Sequence, residues 1–135
     1  MDTLVPQLRQ NLTSNDLTLE KQKIQAQPLD WSVKGLQELL KMTQLSQFDI
    51  VLNCDCIYEP LYGESWKLLL QVQEELLRIN PDTVMLTSVE RRKFDNVEHY
   101  LQGLHDSSIV SKVEKVRIDF GYPHEVELYR IYGVN

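Results

Sequence analysis

The chain contains two short apolar segments, FDIVLNC (residues 48–54) and DTVMLTS (residues 82–88). FDIVLNC is too short for a helix and apolar on both faces, and DTVMLTS is a second segment of this kind. Such segments are typical of strands buried inside a parallel sheet. A helical stripe that starts near Trp66 lies between them and ends at Asn80-Pro81, because proline stops a helix. Strands that alternate with helices predict an α/β fold with a doubly wound sheet.

The remainder of the chain follows the same alternation up to its tail. Helical stripes begin near Leu4, Leu36 and Phe94, and residues 23–29 form a weak strand candidate. In the tail the period changes: residues 116–120 alternate apolar and charged side chains, and GYPH makes a turn before HEVELYRIYG. Two strands with no helix between them are antiparallel neighbours, so the fold is expected to end in a β-hairpin.

Length, charge and cysteine content exclude several classes of protein. At 135 residues the chain is expected to form a single domain, residues 1–135. Its net charge of −6 argues against a nucleic-acid partner, which needs a basic face. No apolar run approaches the roughly 20 residues of a membrane span, and no secretory signal is visible. Two cysteines do not build a disulfide framework, so we expect a cytoplasmic protein, with the nucleus as a second compartment.

The first candidate site follows FDIVLNC, because ligands of open α/β sheets lie beyond the carboxyl ends of the strands. The same rule directs attention to SVERRK after DTVMLTS. The first loop offers Asp55, Tyr58 and Glu59, and a carboxylate beside a phenol there can orient an amine. The alternative interpretation is structural: Asp55 caps the following turn and Tyr58 packs at the sheet edge.

Other residues near this end of the sheet also allow two interpretations. Asp30-Trp31 follows the weak strand, and Trp31 either covers a cofactor with its aromatic face or anchors the core. The charged residues 90–93 either face a ligand or form a solvated surface. Cys54 and Cys56 are expected to be small apolar fillers rather than metal ligands, since two thiols do not complete a tetrahedral site. The sequence has neither a glycine-rich phosphate loop nor a GxSxG motif.

These segments, taken in order, resemble the family 16 methyltransferases, the seven-β-strand protein-lysine methyltransferases. FDIVLNCDCIYEP is similar to the family segment in which an apolar strand ends in a small residue followed by Asp-x-x-Tyr. Asp55 and Tyr58 match this tetrad, with Cys54 at the small-residue position. PLDWSVKG is similar to the family's Leu-x-Trp segment, LVPQLRQNLTSN is similar to the helix after its acidic loop, and a terminal hairpin suits its sheet. The likeness covers residues 4–134.

The resemblance implies an activity, a cofactor and site residues. The activity is transfer of a methyl group from S-adenosylmethionine to a lysine ε-amine of a protein. Trp31, Cys54 (chiefly through its backbone) and Asp30 would bind the cofactor. Asp55 and Tyr58 would be the catalytic residues, framing the lysine and positioning its amine. The amine must be neutral and in line with the sulfonium methyl, so catalysis is mainly positioning and desolvation.

The resemblance also implies a Rossmann-like seven-strand sheet that lacks its first strands and ends in an antiparallel β-hairpin. The family's glycine-rich first motif is absent from this chain, and strands three to seven are expected in it. In the family the first two strands lie between the third and the fourth. Residues 23–29 would therefore have no native neighbour, and residues 48–54 would show an unpaired edge. We expect the C-terminal part of a methyltransferase domain, in which residues 23–29 pair with residues 48–54 in a rearranged sheet.

Three functions remain open at this point. The first is a truncated S-adenosylmethionine-dependent protein-lysine methyltransferase, acting on a protein substrate that bears a lysine. The second is a non-catalytic protein-interaction module derived from a methyltransferase, and the third is a small-molecule methyltransferase in which Asp55 and Tyr58 hold another nucleophile. Fold alone does not decide between them. The chain is expected to be a monomer that aggregates through its unpaired sheet edge.

Overall fold

The computed structural model describes residues 4–15, 24–117 and 125–135. Its helices are α1 (Leu4–Ser14), α2 (Val33–Thr43), α3 (Glu59–Tyr62), α4 (Ser65–Ile79) and α5 (Val97–Asp106). Its strands are β1 (Ile50–Cys54), β2 (Val84–Glu90), β3 (Val110–Val116) and β4 (Val126–Gly133). No described helix is long and apolar enough to cross a membrane.

The described strands form one mixed sheet in the order β1-β2-β4-β3. β1 and β2 are parallel, with Ile50 beside Val84 and Cys54 beside Ser88. β4 is antiparallel to both β2 and β3. The two apolar segments therefore do become parallel neighbours, and the tail does form a hairpin, as the sequence pattern predicts.

The core lies on one face of this sheet. Alternate residues of β2 and β4 are buried, and pairs such as Met85 with Ile131 and Thr87 with Tyr129 share the buried face. Helices α4 and α5 cover it, since the buried Tyr100 hydroxyl of α5 donates to Gln73 of α4 at 2.7 Å. Period-2 strands packed under amphipathic helices bury one stripe of each element.

The opposite face of the sheet is partly open, which corrects the prediction of a doubly wound sheet with β1 buried on both faces. In β1 the exposed and half-buried positions alternate, and Ile50 and Leu52 keep 63% and 67% of their surface exposed. Helix α1 buries none of its described side chains. The β1 segment is apolar on both faces, but among the described residues no element packs over its second face.

Residues 24–29 form no strand, so the predicted strand over residues 23–29 and its rearranged pairing with β1 are wrong over this range; residue 23 lies outside the described part. The physical reason is the one the sequence suggests: no described strand lies beside them to complete a ladder. Instead Arg9 of α1 donates its Nε–H to the Ala26 carbonyl at 3.2 Å and a second N–H to Gln27 at 3.2 Å.

The hairpin begins earlier than the sequence pattern predicts. β3 already starts at Val110 and pairs with β4 through Val116. The predicted alternation beyond residue 117 and the GYPH turn lie outside the described residues. Helix α5 begins at Val97 rather than at Phe94, because Phe94 and Asn96 adopt left-handed backbone conformations that a helix does not accommodate.

A close approach at the end of β4 requires glycine at position 133. A Cβ atom on Gly133 would lie 2.8 Å from the backbone oxygen of Pro81. Gly133→Ala is therefore expected to lower the free energy of unfolding by about 1–3 kcal/mol, measured by urea denaturation. Gly103→Ala is the matched control, since its Cβ would meet only the movable end of Leu70 at 2.7 Å and alanine favours a helix by about 1 kcal/mol. Equal stability of Gly133→Ala and the wild type would contradict this account.

Candidate functional site

The parallel pairing of β1 and β2 brings two loops together at one end of the sheet. Cys54 and Ser88 are register partners, so the segment after β1 and the segment after β2 leave the same edge. The first segment carries Asp55 and Tyr58, and the second runs from Arg91 to Asn96. The sequence rule that places ligands at the carboxyl ends of parallel strands thus directs attention to one shared location.

Asp55 occupies a constrained backbone position at this edge. Its φ is 52°, in the left-handed region that aspartate and asparagine tolerate better than most residues. Its backbone N–H donates to the Ser88 carbonyl at 2.8 Å, and its carboxylate accepts the Glu90 backbone N–H at 3.3 Å. The carboxylate therefore bonds across to the neighbouring strand, whereas the structural interpretation had it cap its own turn.

Arg92 joins the two predicted catalytic residues. Its guanidinium donates to the two carboxylate oxygens of Asp55, at 2.7 Å to Oδ2 and 3.3 Å to Oδ1. It also donates to Glu90, and its Cζ lies 5.1 Å from the centre of the Tyr58 ring. Hydrogen bonds to Asp55 and Glu90 raise the pKa of Arg92. A planar guanidinium is suited to hold a carboxylate and stack on an aromatic ring at once.

The segment from Arg91 to Asn96 is fixed by the buried side chain of Asp95. Its carboxylate accepts N–H bonds from Arg91 Nε at 3.1 Å, from the Arg92 backbone at 2.9 Å and from the Val97 backbone at 3.0 Å. Burial opposes the ionisation of Asp95, but these backbone donors and the charge of Arg91 outweigh it and hold the pKa below its ordinary value.

Glu59 ties this segment to the β1 loop. The Glu59 backbone N–H donates to the Asp95 carbonyl at 3.4 Å. Its carboxylate accepts hydrogen bonds from Trp66 Nε1 at 3.3 Å and from the Asn96 side-chain amide. Glu59 therefore has a structural role here, holding α3, α4 and the β2 loop in contact.

The charged residues 90–93 are not simply a solvated surface. Arg91 forms ion pairs with Asp95, Glu98 and Glu127. Beside it lies an open cleft of about 410 Å³ lined by Arg91, Arg92, Lys93, Glu125 and Glu127. Sequence reasoning noted the cluster but missed the role of Arg92, because nothing in a local pattern indicates which carboxylate an arginine will meet.

Trp31 and Asp30 lie at the start of α2. Trp31 is half-buried against the hydrophobic core, in agreement with its interpretation as a core anchor. Asp30 is exposed and its carboxylate accepts the Ser32 hydroxyl at 3.0 Å, while Ser32 Oγ accepts the Gly35 N–H as the helix cap. Among the described residues, no hydrogen bond or ion pair connects Asp30 or Trp31 with Asp55 or Tyr58.

The two cysteines have different surroundings. Cys56 packs against the core, and burial raises the pKa of its thiol, as expected for an apolar filler. Its thiol donates weakly to the Cys54 carbonyl at 3.5 Å. Cys54 itself is exposed, so the filler interpretation is wrong for it. Within the described ranges no three His, Cys, Asp or Glu side chains gather as a metal site.

The residues predicted to bind S-adenosylmethionine lie in two places, with Cys54 at the end of β1 and Asp30 and Trp31 just before α2. Cys54 and Leu52 are exposed on the sheet face that α4 and α5 leave uncovered. Trp31 is partly buried, and Asp30 is exposed with one carboxylate oxygen bonded to Ser32. Apolar surface, an aromatic ring and a hydrogen-bond acceptor suit an adenosine and a methionine chain.

Comparison with protein families identifies the chain. Residues 1–107 match the model of the lysine methyltransferase family, the family 16 methyltransferases. The match covers most of the chain, so the protein belongs to this family. The α/β fold and the mixed sheet described above are consistent with a methyltransferase-like fold.

A curated relative shares much of this sequence. Secreted RxLR effector protein 48 of Plasmopara viticola is 42% identical over 106 residues, which are 74% of this chain and 54% of that protein. The chain thus spans about half the length of the curated relative that it matches.

The low pKa of Asp95 predicts that the fold loses stability in acid. The folded state binds this proton less tightly than the unfolded chain, whose reference pKa is 3.8. The contribution of Asp95 to stability is therefore complete above that value and is lost as the pH falls below it, through the lower folded pKa. Urea denaturation across this range should show a shallower acid loss for Asp95→Asn, together with lower stability at pH 7. An unchanged acid slope in Asp95→Asn would show that other groups cause the loss.

Proposed function

We propose that the protein is an S-adenosylmethionine-dependent protein-lysine N-methyltransferase domain in which Asp55 and Tyr58 frame the substrate lysine. The observation that supports this most is the contact of Arg92 with both residues at the carboxyl end of β1. Membership of the lysine methyltransferase family gives the reaction class. One guanidinium fixes the positions of a carboxylate and an aromatic ring, and this preorganised arrangement can orient a neutral amine.

In this proposal Asp55 and Tyr58 act by position. The Asp55 carboxylate accepts a hydrogen bond from the lysine amine and orients its nitrogen, while the Tyr58 ring limits where the methylene chain lies. The cofactor supplies a methyl group on a positively charged sulfur. The amine gives its proton to solvent before its lone pair attacks the methyl group, and Asp55 holds the resulting neutral amine in line. Orientation of this kind supplies a large part of a transfer reaction's rate.

The cofactor would lie beside the open face of β1. Cys54 would contact it chiefly through its backbone, Trp31 through its ring and Asp30 through its carboxylate. The exposure of Cys54 and Leu52 supports this placement, since a group bound there would cover surface that the described chain leaves uncovered. The substrate would be a protein in the cytoplasm or nucleus, and the active form a monomer.

A second candidate function is a protein-interaction module without catalysis. One observation favours it: a relative of 42% identity is named as a secreted effector protein. In this case the open face of β1 would bind a protein. A small-molecule methyltransferase, the third possibility, would use the same Asp55 and Tyr58 for a different nucleophile.

Calorimetric titration of S-adenosylhomocysteine into the folded 135-residue chain tests the proposal. Micromolar binding is expected for the wild type and, within about threefold, for Asp55→Asn, because asparagine keeps the shape and tolerates the left-handed backbone. Transfer of tritiated methyl groups to lysine in a dialysed protein extract is expected to fall by about a hundredfold or more in Asp55→Asn. Asp82→Asn, an exposed carboxylate at the other end of β2, is the matched control and should resemble the wild type.

The outcomes separate the candidates. A folded chain that does not bind S-adenosylhomocysteine would overturn the methyltransferase proposal and favour the interaction module. Binding with labelled products other than methyl-lysine would favour the small-molecule enzyme. Equal loss of binding and transfer in Asp55→Asn would mean that Asp55 has only a structural role.

A further inference from the structure

Phe94 is a large apolar residue in an unfavourable position. Its side chain keeps 85% of its surface exposed, and its backbone φ is 61°. A bulky residue in the left-handed region is a true outlier, and it persists only where surrounding contacts fix it. Folding therefore gains little from a phenylalanine here, while the Cβ atom of any residue other than glycine strains the backbone at this φ.

The neighbours of Phe94 hold it in place on both sides. On one side Arg92 bonds to Asp55. On the other side Asp95 accepts three N–H bonds, and Asn96 donates to Glu59. The exposure of Phe94 is thus a consequence of well-defined contacts around it, which present its ring to solvent.

Phe94 also lies close to the candidate catalytic residues. It follows Arg92 by two residues, about 7 Å of chain at most, and Arg92 contacts both Asp55 and Tyr58. The adjoining helix α3, bonded to this segment through Glu59 and Asp95, exposes 68% of Leu61 and 50% of Tyr62. Three exposed apolar side chains therefore stand on the two segments that form the site.

We propose that Phe94, Leu61 and Tyr62 form an apolar docking surface for the polypeptide that carries the target lysine. The occupant is an extended peptide segment with a large apolar side chain a few residues from the lysine. The lysine lies at Asp55 and Tyr58, and the apolar side chain packs on Phe94. This inference rests on the proposed function for the lysine position and adds a determinant of substrate choice.

Thermal unfolding tests whether the Phe94 side chain stabilises the fold. Phe94→Gly is expected to raise the unfolding midpoint by about 3 °C, because glycine adopts a positive φ without strain. Phe94→Ala should stay within about 2 °C of the wild type, since it removes exposed surface only. A lower midpoint for Phe94→Gly would show that the ring stabilises the fold, and would overturn the proposal.

Peptide binding tests the docking surface directly. The probes are fluorescein-labelled Gly/Ser peptides with one central lysine and one leucine placed at successive distances from it, with a leucine-free peptide as reference. Fluorescence anisotropy should show tighter binding of wild type to the leucine peptides, by about tenfold at the best spacing. Phe94→Ala should abolish that preference and Phe94→Leu should keep most of it. Met42→Ala removes another half-exposed apolar side chain, on α2, and should leave the preference unchanged.

Titration of the same samples with S-adenosylhomocysteine distinguishes the docking-surface proposal from the methyltransferase proposal. Phe94→Ala should bind it as the wild type does, because Phe94 is outside the proposed cofactor residues. A leucine preference that depends on Phe94 in a chain that does not bind S-adenosylhomocysteine would support the docking surface and overturn the methyltransferase. No leucine preference in the wild type, or an equal one in Phe94→Ala, would overturn the docking surface whatever the cofactor result.

Discussion

The parallel pairing of β1 with β2 is the interaction on which the rest of this structure depends. Its register sets Cys54 beside Ser88, so both strands end at the same edge and both following segments start there. The residues proposed to hold the substrate lysine, Asp55 and Tyr58, lie within a few positions of the end of β1. A shift of one residue in this register would turn the side chains of β1 to the opposite face. It would also separate the Asp55 carboxylate from the Glu90 backbone N–H, whose hydrogen bond it accepts.

At that edge ion pairs between a small set of charged side chains hold the two loops together. Arg92 and Arg91 distribute their N–H donors among carboxylates from both loops and from β4. The carboxylates of Asp95 and Glu127 are buried, whereas Arg92 and Asp55 keep 31% and 42% of their side-chain surface exposed. Together these contacts position Asp55 and Tyr58 and also present Phe94. The same contacts thus connect the proposed lysine position with the proposed docking surface.

The open face of β1 is the other feature with functional meaning. Exposed Ile50 and Leu52 stand beside the exposed Cys54, whereas the face under α4 and α5 is fully packed. A cofactor and a protein partner are the two proposed occupants of the region, and they follow from the two candidate functions.

The sequence by itself determined the α/β class, the two parallel strands that the structure has at Ile50–Cys54 and Val84–Glu90, the antiparallel pairing of the last two strands and the family. These features depend on local periodicity and on the short motif from Cys54 to Tyr58. Both are patterns among residues close together in the sequence, so the sequence alone reveals them. The weak strand over residues 23–29 failed on the described part, residues 24–29, because a strand needs a partner as well as propensity. Only the tertiary structure decided that Arg92 reaches Asp55 and Tyr58, that Cys54 is exposed while Cys56 is packed, and that Phe94 faces solvent at a positive φ. Such facts depend on which residues distant in sequence meet across the sheet, and no local pattern encodes those meetings.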